Sequence, residues 1–340
     1  MGAGCLHVGY GAMRALMMTM ASSRESQGPS LQPPARRGRR MPYGRLWLVA
    51  VLGVAIFAAA IRLVSQASVP PVQVNRGSVP TRIVSANVMS DEILLALAPE
   101  RLVGLSVQAD NPDSSNVVQA AKVISTRHNG DIERILMQSP DLVVIGKSRA
   151  DVARQVQGLG IPVFLIEGFE SIEWIRSLIR MMGAMAGVPE RAEHLVADMN
   201  VRIEAISARV AGRPRPRVLL YSESGWVRGR QTTLDDVIRA AGGVNLAAEM
   251  GIIGSRKVSQ ERVIVADPDV ILLRDARRWE SGFRQVLLRD PAFQGVKALR
   301  DQRVYSVPAR LLVTSSHHIA ETVETIARLL HPDVFEEGSR

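Results

Sequence analysis

Four short groups of basic side chains mark the places where this chain could hold a charged partner: Arg127 with His128, Lys147 with Arg149, Arg228 with Arg230, and Arg256 with Lys257. A guanidinium presents a planar fork of donors that matches a carboxylate, and the match strengthens where water is excluded. Read singly, each of these residues is a solvated surface charge. Two glutamates, Glu133 and Glu261, sit in a word that the chain writes twice, and His317-His318 form the one adjacent histidine pair at the start of an apolar helix pattern. Neighbouring residues cannot put both rings on one helix face, and a direct metal site needs three or four converging ligands, so this pair alone does not make one. Covalent catalysis finds little support. Cys5, the sole cysteine, lies in the basic leader, which leaves no thiolate for a metal site, a disulfide or a nucleophile in the folded part. There is also no Gly-rich phosphate loop after a strand and no nucleophile-elbow sequence.

The elements that must position these residues come from the repeated word. It reads Ile132-Glu133-Arg134-Ile135-Leu136 followed by Pro140-Asp141-Leu142-Val143-Val144-Ile145, and later Gln260-Glu261-Arg262-Val263-Ile264 followed by Pro268-Asp269-Val270-Ile271-Leu272-Leu273. Each copy predicts a short helix carrying Glu-Arg, a Pro-Asp turn that a helix cannot cross, and a strand buried on both faces. Around them strands alternate with helices. Strands are expected at 82–86, 102–105, 142–146, 163–167, 217–221, 270–273 and 304–307, with helices at 90–97, 151–159, 172–186, 233–241, 259–266 and 316–330, and a polar loop at 108–115. That alternation argues for parallel βαβ construction. Between the two halves, Pro189 opens a helix that runs to Arg209, with Pro and Glu190 in its first turn and Gly212-Arg213-Pro214 beyond its end. At ~1.5 Å per residue it forms a rod of roughly 32 Å.

The formal charge of +9 resembles a nucleic-acid signal until it is located. Residues 1–67 carry +7 of it, eight arginines against Glu25, so the remainder carries +2 and has no phosphate-tracking surface by charge alone. Residues 1–40 are polar and end in Arg36-Arg37-Gly38-Arg39-Arg40, so translation could begin at Met1 or at Met41. Leu46–Ile61 is apolar between Arg45 and Arg62. Shorter than a bilayer span of roughly 20 residues, it suits a signal-peptide core, and Ser65-Gln66-Ala67 supplies small residues for cleavage after Ala67; the alternative is an uncleaved membrane anchor. The expected organisation is a leader and signal or anchor at 1–67, a tether at 68–80, an α/β lobe at 81–170, an inter-lobe helical segment at 171–212 and a second α/β lobe at 213–335.

The ordered set of words resembles the periplasmic substrate-binding proteins of ABC importers for ferric siderophores, haem and cobalamin. The matching stretches are Arg82-Ile83-Val84-Ser85 with Glu92-Ile93-Leu94-Leu95; Arg101-Leu102-Val103-Gly104-Leu105-Ser106; the two Glu-Arg words with their Pro-Asp strands; Leu234-Asp235-Asp236-Val237-Ile238 through Gly242-Gly243-Val244-Asn245; and Arg303-Val304-Tyr305-Ser306-Val307-Pro308. The resemblance implies two Rossmann-like α/β lobes with parallel sheets, joined by one long helix, with ligand held in the cleft between them and little change of shape on binding. It implies that Glu133 and Glu261 dock on arginines of a two-fold inner-membrane permease with its ATPase subunits, and that the protein acts as a monomer. It implies no cofactor; the iron chelate is cargo. Where cobalamin-binding members resemble an aromatic cage, this chain has Gln108, Arg127 and Gly146, with Trp226 as the remaining aromatic. The expected ligand contacts are therefore Arg127, His128, Lys147, Arg149, Trp226, Arg228, Arg230, Arg256 and His317, and the expected ligand is an anionic iron complex such as a ferric carboxylate or catecholate siderophore. Haem or cobalamin is the alternative within the family, and a chelatase-like enzyme the alternative outside it. Tyr221, at a strand end, is expected to be packing.

Overall fold

A computed structural model of the chain describes residues 79–168, 171–275 and 282–336. The expected leader, the apolar segment at 46–61 and its cleavage site lie outside the described residues. Within them, the first lobe is a five-stranded parallel sheet of β1 (Ile83–Ser85), β2 (Leu102–Ser106), β3 (Arg127–His128), β4 (Leu142–Gly146) and β5 (Val163–Ile166), in the order β3-β2-β1-β4-β5. The apolar run of β4 shows why both faces must be covered. Leu142 and Val144 enter one core with helix α1 (Val88–Leu97), while Val143 and Ile145 enter another against Val152, Ala153 and Val156, which lie in the next helix, Ala150–Gly158.

The second lobe repeats the plan. Strands β6 (Arg217–Leu220), β8 (Val244–Asn245), β10 (Val270–Asp275) and β11 (Val304–Pro308) are parallel in the order β11-β10-β6-β8, so that β8-β6-β10-β11 reproduces β2-β1-β4-β5. Beside this sheet stands an antiparallel ribbon of β7 (Trp226–Arg228) and β9 (Ser255–Lys257). Neither the ribbon nor the two-residue strands β3 and β8 was expected from the sequence, because they are too short or too exposed to show an apolar period.

The repeated word folds the same way twice, and the structure extends it. Helix α2 (Ile132–Leu136), capped by Asp131, precedes β4, and a second short helix (Gln260–Ala266), capped by Ser259, precedes β10. Ser139 and Asp267, each just before the Pro, take the left-handed backbone with φ of 48 and 45. The following aspartate then holds the start of the adjacent central strand: Asp141 accepts from the backbone N–H of Thr81 and Arg82 at 2.7 and 2.9 Å, and Asp269 from that of Arg217 at 2.7 Å. The arginine at that strand start returns to the end of the Glu-Arg helix. Arg82 donates to the carbonyls of Gln138 and Ser139, and Arg217 to those of Ala266 and Asp267.

Two helices join the halves. Helix α3 is taken as Ala150–Gly158, α4 as Ile172–Met185 and α5 as Pro189–Arg209. Along α5, Ala192, Val196, Met199, Ile203 and Ile206 are buried at helical spacing. Near its start Arg191 donates to Leu97 O at 2.9 Å and to Glu100 at 2.8 Å in the first lobe; near its end Ser207 and Arg209 donate to Ala240 O and Val334 O, at 2.9 and 2.8 Å, in the second. Gly183 of α4 makes this joint tight, since a Cβ there would lie 2.3 Å from that of Ala192. One continuous apolar core runs from Ile83 and α1 through α4 and α5 into α6 (Thr233–Ala240) and the last long helix (Ile319–Leu330).

Candidate ligand-binding site

In parallel α/β sheets, ligands bind beyond the carboxyl ends of the strands. Here the two lobes meet at that end. Glu92, the fifth residue of α1 after β1, is 1% exposed and crosses to the second lobe. One carboxylate oxygen accepts from the backbone and side-chain nitrogens of Asn116, both at 2.8 Å; the other accepts from Thr314 Oγ1 at 2.9 Å and Ser316 Oγ at 2.5 Å, in the segment that follows β11. Arg310 closes the seam, donating to Asn116 Oδ1 at 2.6 Å and to Glu321 at 3.0 Å. Sequence reasoning missed this seam, although Glu92 stood in one of the matching words.

The basic residues of the first lobe gather at the carboxyl edge of its sheet but are largely engaged with their own chain. Arg127 forms a bidentate pair with Asp110, both contacts at 2.8 Å, and also donates to the carbonyls of Ala121, Ile124 and Thr126. Its donors tie down the loop between β2 and β3, so any effect on ligand passes through that loop. His128 is fully buried, accepts the Gly130 N–H at Nδ1, 3.2 Å, and therefore carries its proton on Nε2, which donates to Ser85 O at 2.9 Å. Burial pushes its pKa down, only partly opposed by the Ser85 carbonyl. Arg149 donates to the carbonyls of Asn129 and Gly130, at 3.2 and 2.8 Å, and Lys147, directly after β4, lies 3.7 Å from Glu167.

The second lobe supplies the freer set. In the ribbon, Trp226 pairs with Lys257 and Arg228 with Ser255, so these side chains share one face, with Val227 buried on the other. Arg256 pairs with Val227 on that opposite side. Arg230 and Arg256 are exposed and have no hydrogen-bond partner for their side chains among the described residues. Arg228 is one wall of a cavity of about 300 Å³, whose other walls include Thr232 and Thr233 at the start of α6, Ser255, Thr314 and Ile319. Its guanidinium donates to Leu312 O at 3.2 Å, and Asn245 Nδ2 holds its carbonyl at 3.0 Å. The side chain meets solvent inside a concavity crowded by protein atoms; that burial, with the charge of Arg274, lowers its pKa. Gly229 lets the ribbon close on itself, because a Cβ there would sit 2.0 Å from Ile252 O.

His317 and His318 lie at the seam, ahead of the last long helix, their ring centroids 4.2 Å apart. His317 is pushed down to about 3 by burial, with His318 and Arg202 adding to the effect. His318 is also lowered, by burial against the pull of Glu92 and Glu321. Among the described residues, His317 Nδ1 and His318 Nε2 are buried without a hydrogen-bond partner. No group of three or more His, Cys, Asp or Glu side chains among those residues is placed to hold a metal ion. Tyr221 packs beside Phe283 and Phe293, with centroids at 6.0 and 6.2 Å.

Glu133 and Glu261 occupy the second position of their two helices, both exposed, and neither forms an ion pair among the described residues. The Ser259 hydroxyl lowers the pKa of Glu261. The neighbouring arginines, both exposed, bond elsewhere: Arg134 to Asp131 at 3.6 Å and Arg262 to Met250 O at 3.0 Å.

The profile of the family described as "Periplasmic binding protein" matches residues 83–311, well over half of the chain. The chain belongs to this family. It is 24% identical over 269 residues to YvrC of Bacillus subtilis, an uncharacterized ABC transporter substrate-binding lipoprotein, covering 76% of this chain and 82% of that protein. It is 25% identical over 263 residues to a cobalamin-binding protein of Halobacterium salinarum, covering 75% of this chain and 70% of that one. Among solved structures, the periplasmic heme-binding protein RhuT from Roseiflexus sp. RS-1, in apo form, matches with a TM-score of 0.63 and 27% identity, covering 76% of this chain and all of that one. The two-lobed α/β fold with parallel sheets is thus the family's. No helix among the described residues is long and apolar enough to cross a membrane.

Proposed function

We propose that the chain is the substrate-binding component of an ABC importer, and that it captures an anionic iron complex at the cleft and delivers it to a two-fold inner-membrane permease with its ATPase subunits. It works in the periplasm, free or anchored to the membrane face. The observation that carries the ligand class is the ribbon face shared by Trp226, Arg228 and Lys257, from which Arg228 forms a wall of the cavity. A planar guanidinium beside an aromatic surface suits a flat or chelating anion, and the enclosing walls strengthen its hydrogen bonds. Haem is the second reading, favoured by the likeness to the heme-binding RhuT. Its propionates make it an anionic iron complex too, so the two readings differ in the chelate and not in the class. A cobalamin ligand has less support, because Gln108, Arg127 and Gly146 replace the aromatic positions that the resemblance implies.

Delivery is assigned to Glu133 and Glu261, equivalent carboxylates placed one per lobe. Exposed ion pairs contribute about 0–1 kcal/mol, so their main effects are on encounter and register. Replacing both by alanine is expected to leave ligand affinity within about twofold and to lower permease-stimulated ATP hydrolysis and vesicle uptake, because neither residue lines the cavity at Arg228. Loss of binding together with uptake would make the repeat architectural only.

A further inference from the structure

The two most exposed large apolar side chains of the described residues are Val265, at 85%, and Met137, at 79%. They stand at matching places in the repeat, each four residues after its glutamate, and residues i and i+4 share a helix face. The burial pattern matches as well. From Ile132 to Gln138, and again from Gln260 to Ala266, a half-buried residue, two exposed residues, a buried one, a half-buried one, an exposed apolar one and a half-buried one follow in the same order. Single exposed apolar residues need no explanation. Here, however, the two extremes among the described residues fall on one position of an internal duplication.

We propose that Met137 and Val265 are apolar anchors that, with Glu133 and Glu261, make two equivalent docking points, each seated in one half of the two-fold permease. The inference rests on the docking role proposed above for the two glutamates. It commits to a partner that presents, in each half, a cationic group beside an apolar depression. Duplication within one chain argues for that partner, since two equivalent points on one molecule are met together by a surface with two equivalent halves. The chemistry divides between the two components. Carboxylates speed encounter and are screened by salt, whereas burial of an apolar side chain adds affinity that salt does not screen. Arg134 and Arg262 remain exposed but are bonded to Asp131 and to Met250 O, so neither glutamate is held in an ion pair with its neighbouring arginine.

The test places a photo-crosslinking amino acid, one position at a time, in the full chain expressed in its native cells. Positions 133 and 261 report the docking reading, 137 and 265 the anchors, and the exposed apolar positions 123 and 159 serve as controls outside the repeat. Cross-links from 133, 261, 137 and 265 to the same polytopic ABC permease subunit, with none from 123 or 159, are the expected result. Met137→Ser with Val265→Ser should also cut the yield at position 133 about tenfold, while Val123→Ser with Leu159→Ser should not. Cross-links to the permease from 133 and 261 but not from 137 and 265 would overturn the anchors and leave the docking reading intact. Permease cross-links from none of the four positions would remove both. Cross-links from 137 and 265 to a second copy of the chain, or to lipid, would overturn the proposal by assigning the patches another occupant.

Discussion

Asp91 lies in the first turn of α1 with no exposure, and its carboxyl is pushed up to about 7. Burial is the main cause; hydrogen bonds from Ser106 and Ser85 pull the other way, and neighbouring Glu92 adds to the rise. The folded value lies above the unfolded one, so the native state holds the proton longer. Stability from this group is therefore intact below about pH 4 and is lost as the pH rises through about 7. Asp91→Asn keeps the shape and removes the titration. The expected outcome is that the melting temperature of the natural protein, relative to the variant, falls from about pH 5 to about pH 8, by an amount corresponding to a few kcal/mol. Parallel pH profiles for the two proteins would mean that this carboxyl is not raised. The residue scale also separates two arginines that the sequence could not tell apart. Arg127 is held by Asp110 and three carbonyls, whereas Arg228 reaches a cavity wall. The acceptors around Arg127 come from a loop whose course depends on the tertiary fold, so no local pattern announces them.

At the scale of elements, the duplicated joint makes a paired prediction. Burial raises the carboxyls of Asp141 and Asp269, but the backbone N–H groups of Thr81 and Arg82 in one lobe, and of Arg217 in the other, outweigh it, and both end below the ordinary value. Their contribution is present above the unfolded value and is lost as acid drives the pH through the lower folded one. Asp269→Ala is expected to lose roughly 1.5–3 kcal/mol, since Lys297 also pairs with that carboxylate at 2.7 Å. Asp141→Ala should lose less, about 1 kcal/mol, because its site is more open to solvent. Urea denaturation at neutral pH and near pH ~3, below the ordinary value of an aspartate carboxyl, checks both the ranking and the sign. Much of this level was legible in the sequence. Unbroken apolar runs marked β4 and β10, Pro189 and the Gly212-Arg213-Pro214 stop marked α5, and the Pro-Asp words marked the joints. The roles of Arg82 and Arg217 were not legible, because their bonds to helix ends are made across the chain. The ribbon of β7 and β9 escaped because Ser255, Arg256 and Lys257 are all exposed and carry no alternation.

For the whole molecule, the seam at Glu92 and the shared core tie the lobes into one body. Thr314 and Ser316 lie 222 and 224 residues from Glu92 along the chain, a separation at which no spacing argument reaches. Glu92→Ala leaves two hydroxyls and the Asn116 donors without their acceptor, and is expected to cost about 3 kcal/mol or more. Hydrogen exchange should quicken on both sides of the seam, around Asn116 and around residues 314–322. Acceleration confined to the first lobe would contradict an inter-lobe tie. The central claim is capture of an anionic iron complex by such a body, and its most direct test is equilibrium binding of a panel of compounds to the natural protein and to Arg228→Ala, read by tryptophan fluorescence and native mass spectrometry. The account predicts one chelate bound without chemical change, haem or an anionic ferric siderophore ahead of neutral hydroxamate complexes and cobalamin, and an affinity loss for Arg228→Ala of ~1.5–3 kcal/mol. Equal affinity for neutral and anionic complexes, unaffected by Arg228→Ala, would contradict it.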